Sequence, residues 1–422
     1  MKKQKLGTGL SSVFLIARWI TGALLLVSVE AMIRIGVLSG LGFALAGMSA
    51  FLIFGLLLRA LRKRLYGDVS YQDLLDLTYD PVSKIWMIRL FCLSCILILY
   101  IHILAGAIFL YAVVGLNIVI GFLLFSLVAF FIVYIDRKGL MTKYNVYAVS
   151  LLQFALIIFL VNSFMINGVE PIYKGIKLYH PYLLVYENKS LYIFIIASFT
   201  VMLGKMLLDP YMWQSLFRTD NTKVMTAFSL SGVIWATFPI AFSTLILTII
   251  HTGGFENINT VLYRLFHRID IPGLKVIFIG LFLFIMLSSF INELKKLLSH
   301  LRLAFYKNKG EQESRVEGLK GLKRGIFITI LIVFGGLLTT WYLQPSIIDV
   351  FYFNSVFFAS VCAPIVIAVL RTQKSTRFVP LIICISVATG YIITIFWGIT
   401  TALIAVFIIS TSLCVLRVGR NI

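Results

Sequence analysis

The chain has 422 residues, of which 60% are hydrophobic and 13% are charged. Soluble domains are about 45–50% apolar and about 25% charged, so this composition excludes a soluble enzyme and predicts an all-α, polytopic membrane protein. The formal net charge of +20 would suggest a nucleic-acid partner in a soluble protein. Here Lys and Arg in cytoplasmic loops account for it, so we expect no nucleic-acid partner.

Apolar runs long enough to cross a bilayer follow one another with short connections. A spanning helix needs about 20 such residues, and the runs do not alternate as the strands of a membrane barrel would. About twelve spans are predicted, at residues 10–30, 36–58, 85–112, 117–135, 144–167, 190–217, 223–251, 273–300, 325–343, 347–370, 378–396 and 399–416.

The distribution of basic residues predicts the orientation of these spans. An even number of spans puts both termini on one side, and the segments on that side carry 27 Lys and Arg residues against 7 on the other. Nine of the 27 lie between Lys295 and Arg324. Because cytoplasmic loops are enriched in Lys and Arg, we expect a multi-pass protein of the cell membrane with both termini in the cytoplasm.

Two connections differ from short turns. On the outer side, segment 255–270 has apolar residues at helical intervals, which predicts an amphipathic helix lying on that face. By its position, this helix is a candidate lid. On the inner side, segment 306–325 is polar and glycine-spaced, which predicts a flexible loop.

A charge at bilayer depth costs about 2.5–3.5 kcal/mol, and three charged residues of the predicted spans are candidates for a role in the bundle interior. They are Arg18 in the first span and Lys205 and Asp209 in the sixth. Lys205 and Asp209 are four residues apart, so they fit an ion pair that fixes helix packing. Alternatively, Lys205 faces a central cavity and meets an anionic group of a substrate. Arg18 lies near the cytoplasmic end of its span. Its side chain is therefore expected to snorkel to the membrane surface or to line an inner vestibule.

The first and sixth spans both contain small or polar residues where a continuous apolar helix is expected. Their segments are IARWITGA at 16–23 and LGKMLLDPYMW at 203–213. Pro210 removes a backbone donor and clashes with the preceding turn. Interrupted helices in corresponding positions of two halves point to a transport site at mid-membrane depth.

The spans fit a single transmembrane domain over residues 1–422 with a 5+5 inverted repeat. The first repeat is predicted at 10–167 and the second at 190–370, and residues 371–422 supply two further helices to which the sequence assigns no role.

Ser288 and Ser289 are adjacent hydroxyls in the apolar part of the eighth span. Such serines usually bond to carbonyls of their own helix. Together with unwound carbonyls of another helix, they would instead form a site for a small hard cation.

These features resemble the sodium:solute symporter family, which has the leucine-transporter type of fold. The eighth span, LSSFINELKKLLSHLRLAFYK, keeps the register of the family's small-Ser-Ser/Thr motif, with Ala304 in place of an acid. The stretch from Asp209 resembles the family's Asp-Gln-x-x-x-Gln-Arg segment, where Asp209 and Gln214 match but Pro210 and Ser215 depart. IARWITGALL is similar to the family's Ala-x-x-Ile-Ser segment.

The resemblance implies a sodium site and a neighbouring substrate pocket. The implied sodium ligands are the main-chain oxygens of Ala17, Ile20 and Ile285 and the hydroxyls of Ser288 and Ser289. The implied substrate-binding residues are Thr21, Gly22, Met202 and Lys205, and Asp209 is expected to pair helices or to gate. The family's acidic residue early in the fifth span is replaced by Tyr147, and Ala23 and Leu24 stand where sugar or proline carriers have polar ligands. Sugar transport is therefore disfavoured.

Two functions fit the sequence. The first is sodium-coupled symport of a small organic solute, such as a carboxylate or an amino acid, by alternating access. The second is a transporter-like membrane protein that does not transport and acts as a sensor or partner subunit. A membrane-embedded enzyme is disfavoured because the spans contain no nucleophile elbow, phosphate loop or cluster of His, Asp and Glu.

Overall fold

The computed structural model describes residues 6–62, 71–136, 139–186, 188–220, 222–255, 258–267, 272–305, 330–371 and 378–419. The described residues are almost entirely helical, because helices satisfy all backbone hydrogen bonds within one segment. The helices are α1 (Thr8–Trp19), α2 (Gly22–Ile35), α3 (Leu38–Arg62), α4 (Tyr71–Thr78), α5 (Pro81–Val114), α6 (Ile118–Ile135), α7 (Leu140–Asn167), α8 (Val169–Tyr179), α9 (Lys189–Leu207), α10 (Pro210–Arg218), α11 (Val224–Ile250), α12 (Ile258–His267), α13 (Pro272–Phe305), α14 (Ile330–Leu343), α15 (Ile347–Leu370) and α16 (Phe378–Gly419).

The membrane-spanning helices agree with the predicted spans. In the described residues, nine helices are long and apolar enough to cross a bilayer, and the bent pair α1 and α2 adds a tenth. The shorter apolar helix α14 covers the described part of the ninth predicted span. Helix α16 bends at Gly398, where φ is +82°, and so covers the last two predicted spans.

The core is formed by helices that are buried on most sides. Helix α11 packs along α3, α9 lies between α3 and α15, and α13 packs against α5 and α7. Glycine allows the close approach of α3 and α11, since a Cβ on Gly47 would lie 1.9 Å from the ring of Trp235. By contrast, α6, α7 and α16 expose apolar side chains on the outside of the bundle, as helices facing lipid do.

The predicted amphipathic helix at 255–270 is confirmed as α12. Its apolar face is fully buried, with Val261, Leu265 and Phe266 at 0% exposure, and it packs against α5. The predicted helix continues to residue 270, beyond the described end of α12 at His267. The predicted flexible loop 306–325 also lies outside the described residues.

Candidate functional site

The first membrane-spanning helix is broken at its centre. Helices α1 and α2 meet at an angle of 68°, and Ile20 and Thr21 between them have extended backbone. The Thr21 hydroxyl caps α2 by accepting a hydrogen bond from Leu24 N at 3.3 Å. The break predicted within residues 16–23 is therefore confirmed.

The sixth predicted span, 190–217, is also interrupted. Helix α9 ends at Leu207 and α10 begins at Pro210, as the missing donor of proline requires. Asp209 caps α10 by accepting from Tyr211 N at 2.9 Å. The indole of Trp213 donates to the Leu207 carbonyl at 2.9 Å, which satisfies a backbone group at the end of α9.

Side chains from other helices bond to carbonyls near the first break. The Trp235 indole of α11 donates to Trp19 O at 3.3 Å, and the Asn145 amide of α7 donates to Ala17 O. Ile20, the next expected sodium ligand, lies in the extended bend and is 1% exposed. Asn145 was not singled out in the sequence, although it is a polar residue early in the fifth span.

The two serines on α13 are buried and face neighbouring protein. The Ser288 hydroxyl donates to Met141 O of α7 at 3.3 Å, whereas Ser289 donates to Ile285 O of its own helix at 2.7 Å. Asn292, one turn further along α13, accepts from the Thr142 hydroxyl of α7 at 2.5 Å. Helix α7 thus connects Ala17 on α1 with the serine-bearing face of α13.

The expected substrate residues surround the breaks, but the space beside them is filled. Met202 is fully buried, and the crevice beside Thr21 and Leu24 has no room for a water molecule. At Gly22, the start of α2, an added Cβ would lie 2.3 Å from Met286 Cγ on α13. Flexible methionine therefore occupies the place where a ligand beside the break would lie.

The ion pair between Lys205 and Asp209, one of the two alternatives considered for Lys205, does not form in the structure. Because α9 ends at Leu207, Asp209 leaves the face that carries Lys205 and turns towards α13. There it accepts from Lys296 at 2.7 Å, and Arg18 lies 3.9 Å away. Lys296 also pairs with Glu293 at 2.8 Å. We call Arg18, Lys205, Asp209, Glu293 and Lys296 the buried charge cluster.

Two members of this cluster were assigned wrongly or missed. Lys296 was counted among the basic residues of the inner segment, yet it lies inside α13 with its side chain 6% exposed. Glu293 was not singled out. Polar residues at 289, 293, 296 and 300 follow the i, i+3, i+4 spacing of one helix face, which was the available signal.

Two cavities lie towards opposite ends of the broken span α1–α2. The inner cavity, on the side predicted to be cytoplasmic, has a volume of ≈ 600 Å³ and reaches Ala17, Arg18, Asn145 and Asn292. The outer cavity has a volume of ≈ 580 Å³ and is lined by residues that include Glu30 and Arg34 of α2.

A carboxylate that the sequence reasoning missed lies beside the outer cavity. Glu30 is 3% exposed and accepts from Ile347 N at 3.2 Å and Ile348 N at 3.4 Å, at the start of α15. Arg34 pairs with Glu30 at 3.0 Å and with Asp349 of α15 at 3.2 Å. These contacts hold the outer half of the broken span against α15.

Cation binding at the break would depend on neutral oxygens. Among the described residues, no three His, Cys, Asp or Glu side chains gather as a metal-binding group. The groups that hydrogen-bond with Ala17 and Ser288 are neutral, namely the Asn145 carboxamide and the Met141 carbonyl, whereas Arg18 and Lys295 line the adjoining inner cavity.

No family model matches the sequence, and no curated protein matches it significantly. Several solved structures share its architecture. A Na+-coupled sialic acid symporter in a substrate-bound, outward-open state has a TM-score of 0.58 at 13% identity over 96% of each chain. The inward-facing conformation of Mhp1 has a TM-score of 0.63 at 13% identity over 99% of this chain and 92% of that one. MhsT in complex with L-phenylalanine has a TM-score of 0.53 at 16% identity over 94% and 98%.

The chain has the leucine-transporter fold. At this level of identity the similarity establishes the fold alone. The proteins with which it shares the fold are transporters rather than enzymes. The all-α, 5+5 architecture expected from the sequence is confirmed, and the residue boundaries of the two repeats stay a prediction.

Proposed function

We propose that this protein is a secondary active transporter that moves a small organic solute across the cell membrane by alternating access, coupled to sodium. The observation that carries the proposal is the pair of interrupted spans, α1–α2 and α9–α10, in the middle of the bundle with a cavity on each side. Broken helices at the midplane expose backbone dipoles to a substrate or an ion. Both termini are proposed to be cytoplasmic, and α12 to cover the outer approach.

The proposed sodium site consists of the main-chain oxygens of Ala17, Ile20 and Ile285 and the hydroxyls of Ser288 and Ser289. Neutral oxygens of this kind replace a sodium ion's hydration shell. The Asn145 side chain supports this location of the sodium site. Its Oδ1 atom is buried without a hydrogen-bond partner, while its Nδ2 atom donates to Ala17 O. In the sodium-bound state, we propose that the carboxamide turns over and presents Oδ1 to the ion.

The sodium site is tested by ion-dependent stability of the purified protein, which needs no known solute. NaCl is expected to raise the melting temperature, whereas KCl and choline chloride at equal ionic strength are not. For Ser288→Ala with Ser289→Ala, the sodium concentration for half-maximal stabilisation should rise about fivefold or more, since each lost polar contact contributes about 0.5–1.5 kcal/mol.

A matched control is available in α15. Ser355 and Ser360 are fully buried and bond to carbonyls of their own helix, as Ser289 does. Ser355→Ala with Ser360→Ala should leave the sodium dependence unchanged. An unaltered sodium response in the folded Ser288/Ser289 variant would remove this ion site.

The sensor alternative is favoured by one observation. Ala17 O, Ile285 O and both serine hydroxyls already have hydrogen-bond partners, so four of the five proposed ligand oxygens are satisfied without an ion. Uptake by reconstituted vesicles with an inward sodium gradient separates the two functions. Sodium-dependent accumulation of a solute supports the transporter, and binding of that solute without accumulation supports the sensor.

A further inference from the structure

Lys205 carries a buried ammonium group without a counter-ion of its own. The residue is 8% exposed, and the described part of the chain gives its Nζ neither a hydrogen bond nor an ion pair within 4 Å. Its contact is with the ring of Trp19, whose centroid lies 4.9 Å from Nζ. Trp19 is the last residue before the break between α1 and α2.

The two nearby carboxylates are occupied by another cation. Lys296 lies 2.7 Å from Asp209 and 2.8 Å from Glu293. Across the buried charge cluster, three cationic side chains face two carboxylates. Arg18, which is 19% exposed, borders the inner cavity, and Lys205 is the buried cation to which the described residues give no ion pair.

Other titratable groups around Lys205 do not supply the missing negative charge. His102 of α5 is 5% exposed, and its Nδ1 has no hydrogen-bond partner. Cys95, also on α5, is 2% exposed, and its thiol forms a side-chain hydrogen bond with Glu293. An unpaired buried cation is costly, so a bound anion would stabilise this arrangement.

Buried methionines lie on the helix of Lys205 and beside the break at Gly22. Met202 and Met206 of the same helix are fully buried, and Met286 fills the space at Gly22. Unbranched methionine side chains repack with little strain. An apolar group attached to the anion therefore has a compatible place beside the break.

The inner cavity shares the same sign of charge. Arg18, Lys143 and Lys295 line it, and none of its lining residues is acidic. A cleft lined by charges of one sign concentrates ligands of the opposite sign. An anion released from the centre towards this side meets an attractive path.

We infer that the transported solute is a small organic carboxylate with an apolar portion, and that Lys205 binds its carboxylate group. This inference rests on the proposed function and names its substrate class. The apolar portion would displace Met286 from Gly22, and the solute would leave through the cavity that contains Arg18, Lys143 and Lys295.

The experiment compares carboxylates with their neutral amides on the purified full-length protein in NaCl. The probes are the sodium salts of acetate, butyrate, hexanoate, lactate, benzoate and phenylacetate, each beside its amide. At least one carboxylate is expected to raise the melting temperature, with at least tenfold higher affinity than its amide.

Three variants test whether the Lys205 side chain causes the rise in melting temperature. Lys205→Met should lose the response to the carboxylate, whereas Lys205→Arg, which keeps the charge, should retain it. Lys189→Met, at the exposed outer end of the same helix, should behave as the wild type. The melting temperature without ligand identifies any variant that fails to fold.

The inference is overturned if no carboxylate of the panel stabilises the protein, if the amides bind as well, or if Lys205→Met responds as the wild type. It is also overturned if vesicles accumulate a neutral solute with sodium and Lys205→Met leaves that uptake intact. That last result would preserve the proposed function. Absence of any sodium effect on stability or uptake would instead reject the proposed function.

Discussion

At the scale of single residues, Lys296 is the cation that holds the buried charge cluster together. Its ammonium contacts both Asp209 and Glu293, which come from two different elements, and its side chain is 6% exposed. Such pairs contribute little net stability compared with apolar packing, but removal of one partner strands the others. Lys296 therefore fixes the position of the α9–α10 break against α13.

Lys296→Met is expected to destabilise the protein by about 3–5 kcal/mol, because it leaves the buried Glu293 without its ion pair and Asp209 with only Arg18, 3.9 Å away. The additional changes Asp209→Asn and Glu293→Gln should restore most of this loss by removing those charges. Thermal and denaturant unfolding of the purified variants measures both effects.

The neighbouring Lys295 provides the control. It pairs with Asp136 at 2.8 Å, but its side chain is 34% exposed. Its partner Asp136 is 4% exposed but also accepts from Leu140 N at 2.6 Å. Lys295→Met, which removes a cation from one carboxylate rather than two, should therefore cost less than Lys296→Met. Equal losses for the two lysine variants would contradict the special role of Lys296.

The residue scale also shows where sequence reasoning failed. Lys205 and Asp209 have the spacing of a helical ion pair, but the pair requires that the helix continue, and Pro210 ends it. Lys296 follows Lys295 at the start of a basic stretch, so both lysines were interpreted as part of a solvated inner segment. Asn145 and Glu30 act through contacts with residues 128 and 317 positions away, which no local pattern contains.

At the scale of elements, hydrophobic length and proline chemistry were sufficient for the main predictions. The spans, the two interruptions and the amphipathic helix α12 follow from local sequence, because a helix in lipid satisfies its own backbone. The packing partners of each helix do not follow from local sequence. That α7 connects α1 with α13 depends on Asn145, Thr142 and Met141 meeting groups of distant helices.

The contact between α3 and α11 gives a test of helix packing. Gly47→Ala places a methyl group against the Trp235 ring and should cost about 1–3 kcal/mol by overpacking. Gly280→Ala on α13 meets nothing within 4 Å and should be neutral or slightly stabilising. Thermal unfolding compares the two variants, and equal behaviour would contradict the close approach of α3 and α11.

At the scale of the whole molecule, two cavities of similar volume end on opposite sides of a filled centre. The inner one reaches Ala17 and Asn145, and the outer one is bordered by Glu30 and Arg34. Between them, Met286 fills the space at Gly22, and the crevice beside Thr21 has no room for a water molecule. A filled centre of this kind is what the proposed alternating access requires.

Sodium is expected to change access to the two cavities in opposite directions. Val146→Cys lines the inner cavity and Val119→Cys the outer one. If sodium favours the outward-open state, labelling by an impermeant maleimide should fall at Val146→Cys and rise at Val119→Cys. The parent protein, whose described cysteines are buried except Cys384, gives the background. Changes of the same sign at both sites would contradict alternating access.

The first described residues are hydrogen-bonded to the end of α10. Leu6 forms an isolated parallel bridge with Thr219, Asp220 N donates to Leu6 O at 3.2 Å, and the Thr219 hydroxyl donates to Ser11 at 3.1 Å. The inner halves of both broken spans are thereby tethered to each other. If the protein opens inward as proposed, α1 and α10 should move together as one rigid body. A single movement would then open the inner side of both broken spans.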